Sequence, residues 1–264
     1  MAHGSTARST EVSHATYRSW PCDTSWLNPA SASAGEFPAP QDIVVLDGVP
    51  ITRSVRSVAF EMRYASSLGD AIVAMDMACF SDPVSIAEVT EHLADIGPVT
   101  GVQQARDAVA QAEENSWSPR ETGMRGVWTR MAGLPQPLCN VPVFTPDGRH
   151  VGTPDVIDPV LGLLAQYNGS LHVTADRVSR DWRKDGAYRD LGLETVTMVA
   201  SDWADLEGFA ARLRVAAQRA RARTTPVLWT VEPPARWTST TTVAQRRALA
   251  DWQRERYLRY RHAA

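Results

Sequence analysis

His150-Val151-Gly152-Thr153-Pro154-Asp155-Val156-Ile157-Asp158-Pro159-Val160-Leu161-Gly162-Leu163-Leu164-Ala165-Gln166-Tyr167-Asn168-Gly169 is the stretch from which the fold is read. Two runs rich in β-formers, 150–157 and 161–168, flank Asp158-Pro159, a dipeptide that favours a turn. A hairpin centred near Val160 and Leu161 sets Asp155 opposite Gln166. Side chains alternate faces along a strand, so Gln166 and Asn168 share one face.

Working outward, Ser118-Pro119-Arg120-Glu121 opens a helix, with Ser as N-cap, Pro at the first helical position and Glu at the third. That helix is predicted to run to about 132. Glu121 lies in line with Met124 and Trp128 on its apolar stripe, which directs it toward the sheet. A strand candidate follows at 138–144, and Asp147-Gly148 is a turn. Downstream come a charged helix over about 175–190, a stop at Gly192, a fourth strand at 194–199 and a helix at 206–221. The order α-β-β-β-α-β-α predicts a mixed sheet flanked by helices.

Before this unit, residues 43–46 form a short strand candidate ended by Asp47-Gly48. Apolar stripes then repeat at helical spacing: Val55, Val58, Ala59 and Met62, and again Ala71, Ile72, Met75 and Cys79. Segments 85–93 and 102–112 add two more helices, and the plain reading of this region is a packing scaffold. The chain therefore divides into an irregular segment at 1–41, a helical region at 42–116, an α/β (α+β) unit at 117–222 and a tail at 223–264. Prolines break the start of the tail, and 240–262 is read as one basic helix, separate from the rest.

The composition bounds the setting. Of 264 residues, 44% are hydrophobic and 22% charged, which is ordinary for a globular chain with a sizeable core. The formal net charge of -3 excludes a polycation, so any nucleic-acid contact has to come from a local basic surface. Cys22, Cys79 and Cys139 are odd in number and widely spaced, which implies neither a disulfide framework nor a cysteine metal site. A reduced, cytoplasmic location is expected. The apolar run at 71–80 is interrupted by Asp76 and is far shorter than the ~20 residues that span a bilayer, so no membrane partner is expected. Phosphate-binding, dinucleotide, nucleophile-elbow and zinc-protease motifs are absent.

The short motifs, taken in order, carry a resemblance. They are Ser118-Pro119-x-Glu121, Gly152-x-Pro154-Asp155, Tyr167-x-Gly169-x-x-His172 and Arg180-Asp181-x-Arg183-x-Asp185, with Asp47-Gly48-Val49-Pro50-Ile51-Thr52 upstream. Together they resemble the very-short-patch-repair-like, restriction-endonuclease-like family found with abortive-infection, antitoxin-type regulators. The resemblance spans most of 47–221, and the winged-helix reader of some relatives has no clear counterpart. It implies a nuclease fold with Glu121, Asp155, Gln166, Asn168 and His172 at the catalytic site, and with Glu121, Asp155 and Gln166 toward a metal. Mg²⁺ or Mn²⁺ would offset charge on a scissile phosphate and activate water. The family reads Glu-Tyr-Asp-Gly where this chain has Gln166-Tyr167-Asn168-Gly169. Two acids have become amides, and Mg²⁺ favours carboxylates, so weakened metal binding is expected.

Three readings stand together at this point. One is a nuclease-fold protein with impaired catalysis that binds nucleic acid or a regulatory partner in a phage-defence or toxin–antitoxin role. Another is a working endonuclease on DNA that uses Glu121, Asp155 and His172, with Gln166 as a neutral ligand. The third is a protein-interaction module for which the fold is scaffold only. The nucleic-acid contacts expected are Arg180, Arg183 and Lys184 beside the site and Arg246, Arg247, Arg254 and Arg256 on the tail, where Trp252, Tyr257 and Tyr260 interleave. Each residue also has a plainer role: Glu121 as capping-box acid, Asp155 as turn residue, His172 as an ordinary histidine and the arginines as solvated helix faces.

Overall fold

A computed structural model describes residues 36, 38–169, 186–224 and 226–262. The first element is a hairpin of β1 (Ile43–Leu46) and β2 (Val49–Thr52). Its turn holds Asp47 and Gly48 at φ of 49° and 81°. Two consecutive positive φ values make the tight turn whose twist matches the paired strands, which is why Asp-Gly signals it. β2 was not expected from the sequence, and it contains Pro50. An outer strand tolerates the missing N–H.

Four helices follow: α1 (Ser54–Tyr64), α2 (Leu68–Phe80), α3 (Ile86–Asp95) and α4 (Val102–Val109). The stripes read from the sequence meet in one core, with Ala59, Met62, Ala71, Ile72, Met75, Cys79, Val89, Leu93 and Ala105 buried together. Ser85 caps α3 with a full capping box to Glu88, satisfying two main-chain donors that helix geometry leaves open.

The second half is a mixed α/β unit. α5 (Pro119–Gly126) continues into a π-helical turn, Val127–Met131, that buries Val127 and Trp128. Two expected strands are each broken in two. The 138–144 run becomes β3 (Leu138–Cys139) and β4 (Val143–Phe144). The 150–157 run becomes β5 (His150–Gly152) and β6 (Val156–Asp158). Pro142 and Pro154 sit in the two breaks, where a residue without an N–H cannot extend a ladder. Asn140, at φ 49°, turns the chain at the first break. β7 (Leu163–Asn168) and β8 (Glu194–Val199) complete a four-stranded sheet of order β3-β6-β7-β8. β6 is antiparallel to β3 and β7, whereas β8 runs parallel to β7. β4 and β5 form a separate two-stranded ribbon.

The β6–β7 turn matches the sequence reading. Asp158 pairs with Leu163, and the Asp158 carboxylate accepts the N–H groups of Val160 and Leu161 at 2.9 and 3.0 Å. Of the helix expected over 175–190, only 186–190 lies within the described residues, and those five are helical. Gly192 ends it at φ 81°, with its N–H on Arg189 O at 2.9 Å, a left-handed exit that glycine takes without a Cβ penalty. α6 (Leu206–Arg221) then packs Phe209, Ala210, Leu213 and Ala217 with Met124, Trp128, Leu163 and Ala165. The other sheet face, at Ile157 and Leu164, is covered by Val143, Tyr188 and Trp229.

The tail is not separate, which corrects the reading of 223–264 as a linker and a free helix. Thr230 exchanges two main-chain hydrogen bonds with Phe144, both 2.8 Å. Trp229 enters the sheet core and Val243 enters the helical core. In place of one helix over 240–262 there are α7 (Val243–Arg247), α8 (Asp251–Tyr257) and a 3-10 turn, Arg259–His262. Arg254 donates to Arg246 O at 2.7 Å, supplying a partner for a carbonyl that the end of α7 leaves open. No described helix is long and apolar enough to cross a membrane.

The two halves are joined through Asp76 of α2. It pairs with Arg125 of α5 at 2.9 Å, and their side chains are 0% and 3% exposed. It also accepts Thr122 Oγ1 at 2.7 Å and the Glu113 N–H at 2.8 Å. Removing one partner of such a pair leaves an uncompensated buried charge, a cost of about 3–5 kcal/mol. Asp76→Ala is therefore expected to lower the unfolding free energy by about that amount in urea titration, and Asp76→Leu with Arg125→Met by clearly less. Equal losses in the two variants would show that the pair does not join the halves.

Candidate functional site

The site begins at the first turn of α5. Ser118 is extended at φ -153° and its side chain accepts the Glu121 N–H. Glu121 does not close a capping box, because it binds past the cap: Oε1 accepts Ser118 Oγ at 3.0 Å and Oε2 accepts the N–H of Trp117, one residue before the N-cap, at 2.9 Å. The plainer reading of Glu121 is therefore met only in part. Asn140, where the chain leaves β3, donates Nδ2 to Glu121 Oε2 at 2.7 Å and to Asn115 O at 2.8 Å. The main-chain N–H of Asn140 reaches Asp155 O at 3.0 Å. One buried asparagine thus ties the helix acid to the strand acid.

Asp155 lies one residue before β6. Its carboxylate accepts the Tyr167 N–H at 2.6 Å. Val156 pairs with Ala165, so extending the register by one step sets Asp155 opposite Gln166, as the hairpin reading expects. Leu163 and Ala165 belong to the core against α5 and α6, whereas Leu164 belongs to the opposite face. Strand alternation then gives Gln166 and Asn168 the face of Leu164. The Tyr167 ring turns the other way and meets the Trp203 ring at 6.1 Å. Arg120 covers that indole at 4.9 Å.

The electrostatics follow from this crowding. Burial pushes the Glu121 carboxyl up to about 7, and the neighbouring Asp155 charge pushes the same way. The hydrogen bonds from Asn140, Trp117 and Ser118 oppose the rise. Among the described residues, no group of three or more His, Cys, Asp and Glu side chains stands ready for a metal ion. Glu121 and Asp155 are the two acids that meet, whereas strand alternation gives Gln166 the sheet face of Leu164, opposite the one on which α5 packs, so the expected convergence of all three is not what the register gives. All three bring oxygen donors, the kind a hard divalent cation takes.

The remaining assignments divide. His172, Arg180, Arg183 and Lys184 lie outside the described residues, as does Cys22. On the tail, Arg246 is corrected to a structural residue. It is 1% exposed, and its guanidinium donates to Asp82, Thr240 O, Cys79 O and Glu114 O. Arg247 forks onto Glu88 at 2.7 and 3.0 Å and also reaches Asp82 O. That guanidinium holds the Glu88 carboxyl down at about 2. Arg254 lies 3.4 Å from Asp82, and Arg261 completes the cluster at 2.7 Å. These arginines fasten the tail to the turn after α2. Arg256 remains exposed, with its guanidinium over the Tyr257 ring at 5.6 Å. Cys79 and Cys139 are buried free thiols.

Sequence reasoning missed Asn140 and Asp76. The signal for Asn140 was Pro142 inside a strand candidate, which predicts a break, with asparagine as a residue suited to a left-handed turn. The signal for Asp76 was the one acid within an apolar helical run, since a buried charge requires partners. Comparison of the chain with family models, with curated proteins and with solved structures finds no match.

The raised carboxyl has a consequence with a definite sign. A carboxyl whose pKa lies higher in the folded than in the unfolded chain binds protons preferentially in the folded state. Its contribution is fully present below the ordinary value of 4.5 and is lost as pH rises through about 7. Chemical denaturation of the wild type is expected to show stability falling across that window, and Glu121→Gln to flatten the fall. Identical pH profiles for the two would remove Glu121 as the titrating group.

Proposed function

We propose that this chain is a restriction-endonuclease-like protein with a weakened metal centre, which engages a nucleic-acid strand at Glu121, Asp155 and Gln166 and cuts it poorly. The observation that carries the reading is the convergence of a helix acid and a strand acid, with Asp155 in register opposite Gln166 on the next strand. Restriction-type sites draw on one acid on a strand, a second group on its neighbour and a third on the preceding helix; here the strand acid and the helix acid meet, while strand alternation gives Gln166 the other sheet face. The element order around it, a helix, three antiparallel-paired strands and a fourth parallel strand, agrees with the same reading.

Mg²⁺ or Mn²⁺ fits the donor chemistry in kind, because all three groups offer hard oxygens. The fit is poor in strength. Gln166 and Asn168 contribute dipoles where carboxylates would contribute charge, and Glu121 already accepts three hydrogen bonds. A bound ion would supply charge compensation at the phosphate and a more acidic water. Asp155 would be the principal ligand, with Gln166 and Glu121 completing the protein side. A role in phage defence or toxin–antitoxin regulation rests on the sequence resemblance alone.

The test restores the charge. Gln166→Glu with Asn168→Asp is expected to tighten Mn²⁺ or Mg²⁺ binding by about tenfold or more in calorimetry, since each tenfold step is only ~1.4 kcal/mol. Nicking of supercoiled DNA should rise with it, and Asp155→Ala should abolish both gains. Unchanged metal affinity in the double variant would overturn the reading in favour of an interaction module. Efficient metal-dependent cleavage by the wild type would identify a working endonuclease.

A further inference from the structure

Three features outside the site stand out. The β1–β2 hairpin exposes Val45, Leu46 and Val49, but nothing in the structure indicates what covers it. A cavity of about 200 Å³ between α2 and α5 is lined by Gly69, Asp70, Gln111, Gly126 and Arg130, but no buried polar atom of that lining is left without a partner to select a ligand. The third is a ring cluster where the tail crosses the β4–β5 ribbon, and it carries an inference.

Trp237 meets the buried Phe144 ring edge-on at 4.9 Å and lies 5.2 Å from the His150 ring at an interplanar angle of 37°. Phe144 is 1% exposed and anchors the cluster, whereas Trp237 is 37% exposed and His150 is exposed as well. The indole is thus held at Phe144 while about a third of its surface meets solvent. Two arginines adjoin the rings: exposed Arg149 precedes His150 and exposed Arg236 precedes Trp237. Arg236 is steered by its bond to Gly148 O at 2.9 Å. Two acids lie near in the chain, Asp147, which Thr145 Oγ1 already engages, and exposed Glu232.

The location matters as much as the chemistry. β4 and the tail crossing pack on the sheet face of Ile157 and Leu164, the face that Gln166 and Asn168 share. His150 is hydrogen-bonded to Thr153 at 3.2 Å, and two residues later the chain reaches Asp155. Five residues span at most ~17 Å when extended, about five nucleotide steps at ~3.4 Å each. Open aromatic faces combined with arginines are how proteins hold unpaired strands without reading sequence, because every base has a π-face.

We propose that Trp237 and His150, flanked by Arg149 and Arg236, form a stacking platform for the unpaired bases of a nucleic-acid strand. The platform rests on the nuclease reading only for the neighbouring site that the same strand would enter. It takes the place of the tail helices as the basic and aromatic contact surface, because Arg246, Arg247 and Arg254 of those helices are engaged within the fold.

The test is a fluorescence-anisotropy titration of the full chain with a labelled twelve-nucleotide oligothymidylate, in EDTA, beside an abasic deoxyribose-phosphate strand of equal length. The wild type is expected to prefer the base-bearing strand. Trp237→Ala should weaken oligothymidylate binding about 5- to 150-fold and leave abasic binding nearly unchanged, whereas Trp237→Phe, which keeps a ring, should stay within about threefold of wild type. If Trp237→Ala fails to fold by circular dichroism, Arg149→Ala with Arg236→Ala replaces it. That pair should weaken both strands and flatten the salt dependence by roughly one unit per lost phosphate contact. Equal affinity for the two strands in the wild type, or no binding to either at low salt, overturns the proposal. Because the titration is run in EDTA, base-dependent binding there, together with unchanged metal affinity of the Gln166→Glu, Asn168→Asp variant in calorimetry, would sink the nuclease site alone. The reverse pattern would sink the platform alone.

Discussion

Asp76 places a carboxylate inside an apolar helix packing, and the protein must satisfy it there. Desolvating a lone charge costs far more than a helix–helix contact returns. The Arg125 guanidinium, the Thr122 hydroxyl and the Glu113 N–H converge on it from α5 and the segment before α5. The consequence is geometric. α5 cannot slide or rotate against α2 without exposing that charge, so the helical region acts as a fixed abutment for the helix that carries Glu121. Arg125 also reaches Gln111 O and Cys139 Sγ, which carries the constraint into β3.

A second buried ion cluster does similar work at the chain's end. Asp82, at a left-handed φ of 65° after α2, receives Arg246, Arg254 and Arg261. The tail is thereby pinned across both halves, from its bridge with Phe144 to its seat in the helical core. Tyr260 then stacks on Trp117 with ring centroids 4.0 Å apart. The main-chain N–H of Trp117 is one of the three donors on Glu121, so the last described turn of the chain supports the candidate site from behind.

At that site, burial and proximity set two acids against each other. A divalent cation would relieve the repulsion, and the amides opposite do little to attract one. The β4–β5 ribbon and the tail crossing, by contrast, pack on the sheet face opposite α5.

Period and turn chemistry in the sequence were enough to determine the helical stripes, the β6–β7 register centred at 160–161, β8 and α6. Those features depend on neighbours within a few residues, and local pattern encodes such neighbours directly. The split of two strands into four depended on Pro142, Pro154 and the left-handed Asn140, signals that were present but outweighed by continuous β-propensity. The partners of Asp76 and Asp82 were not legible. They come from segments tens to well over a hundred residues away, and an arginine has the same local signature whether it faces solvent or a buried carboxylate. Only the tertiary structure decided that Arg246 is an internal clamp, because its role is set by the charge that folding leaves behind it.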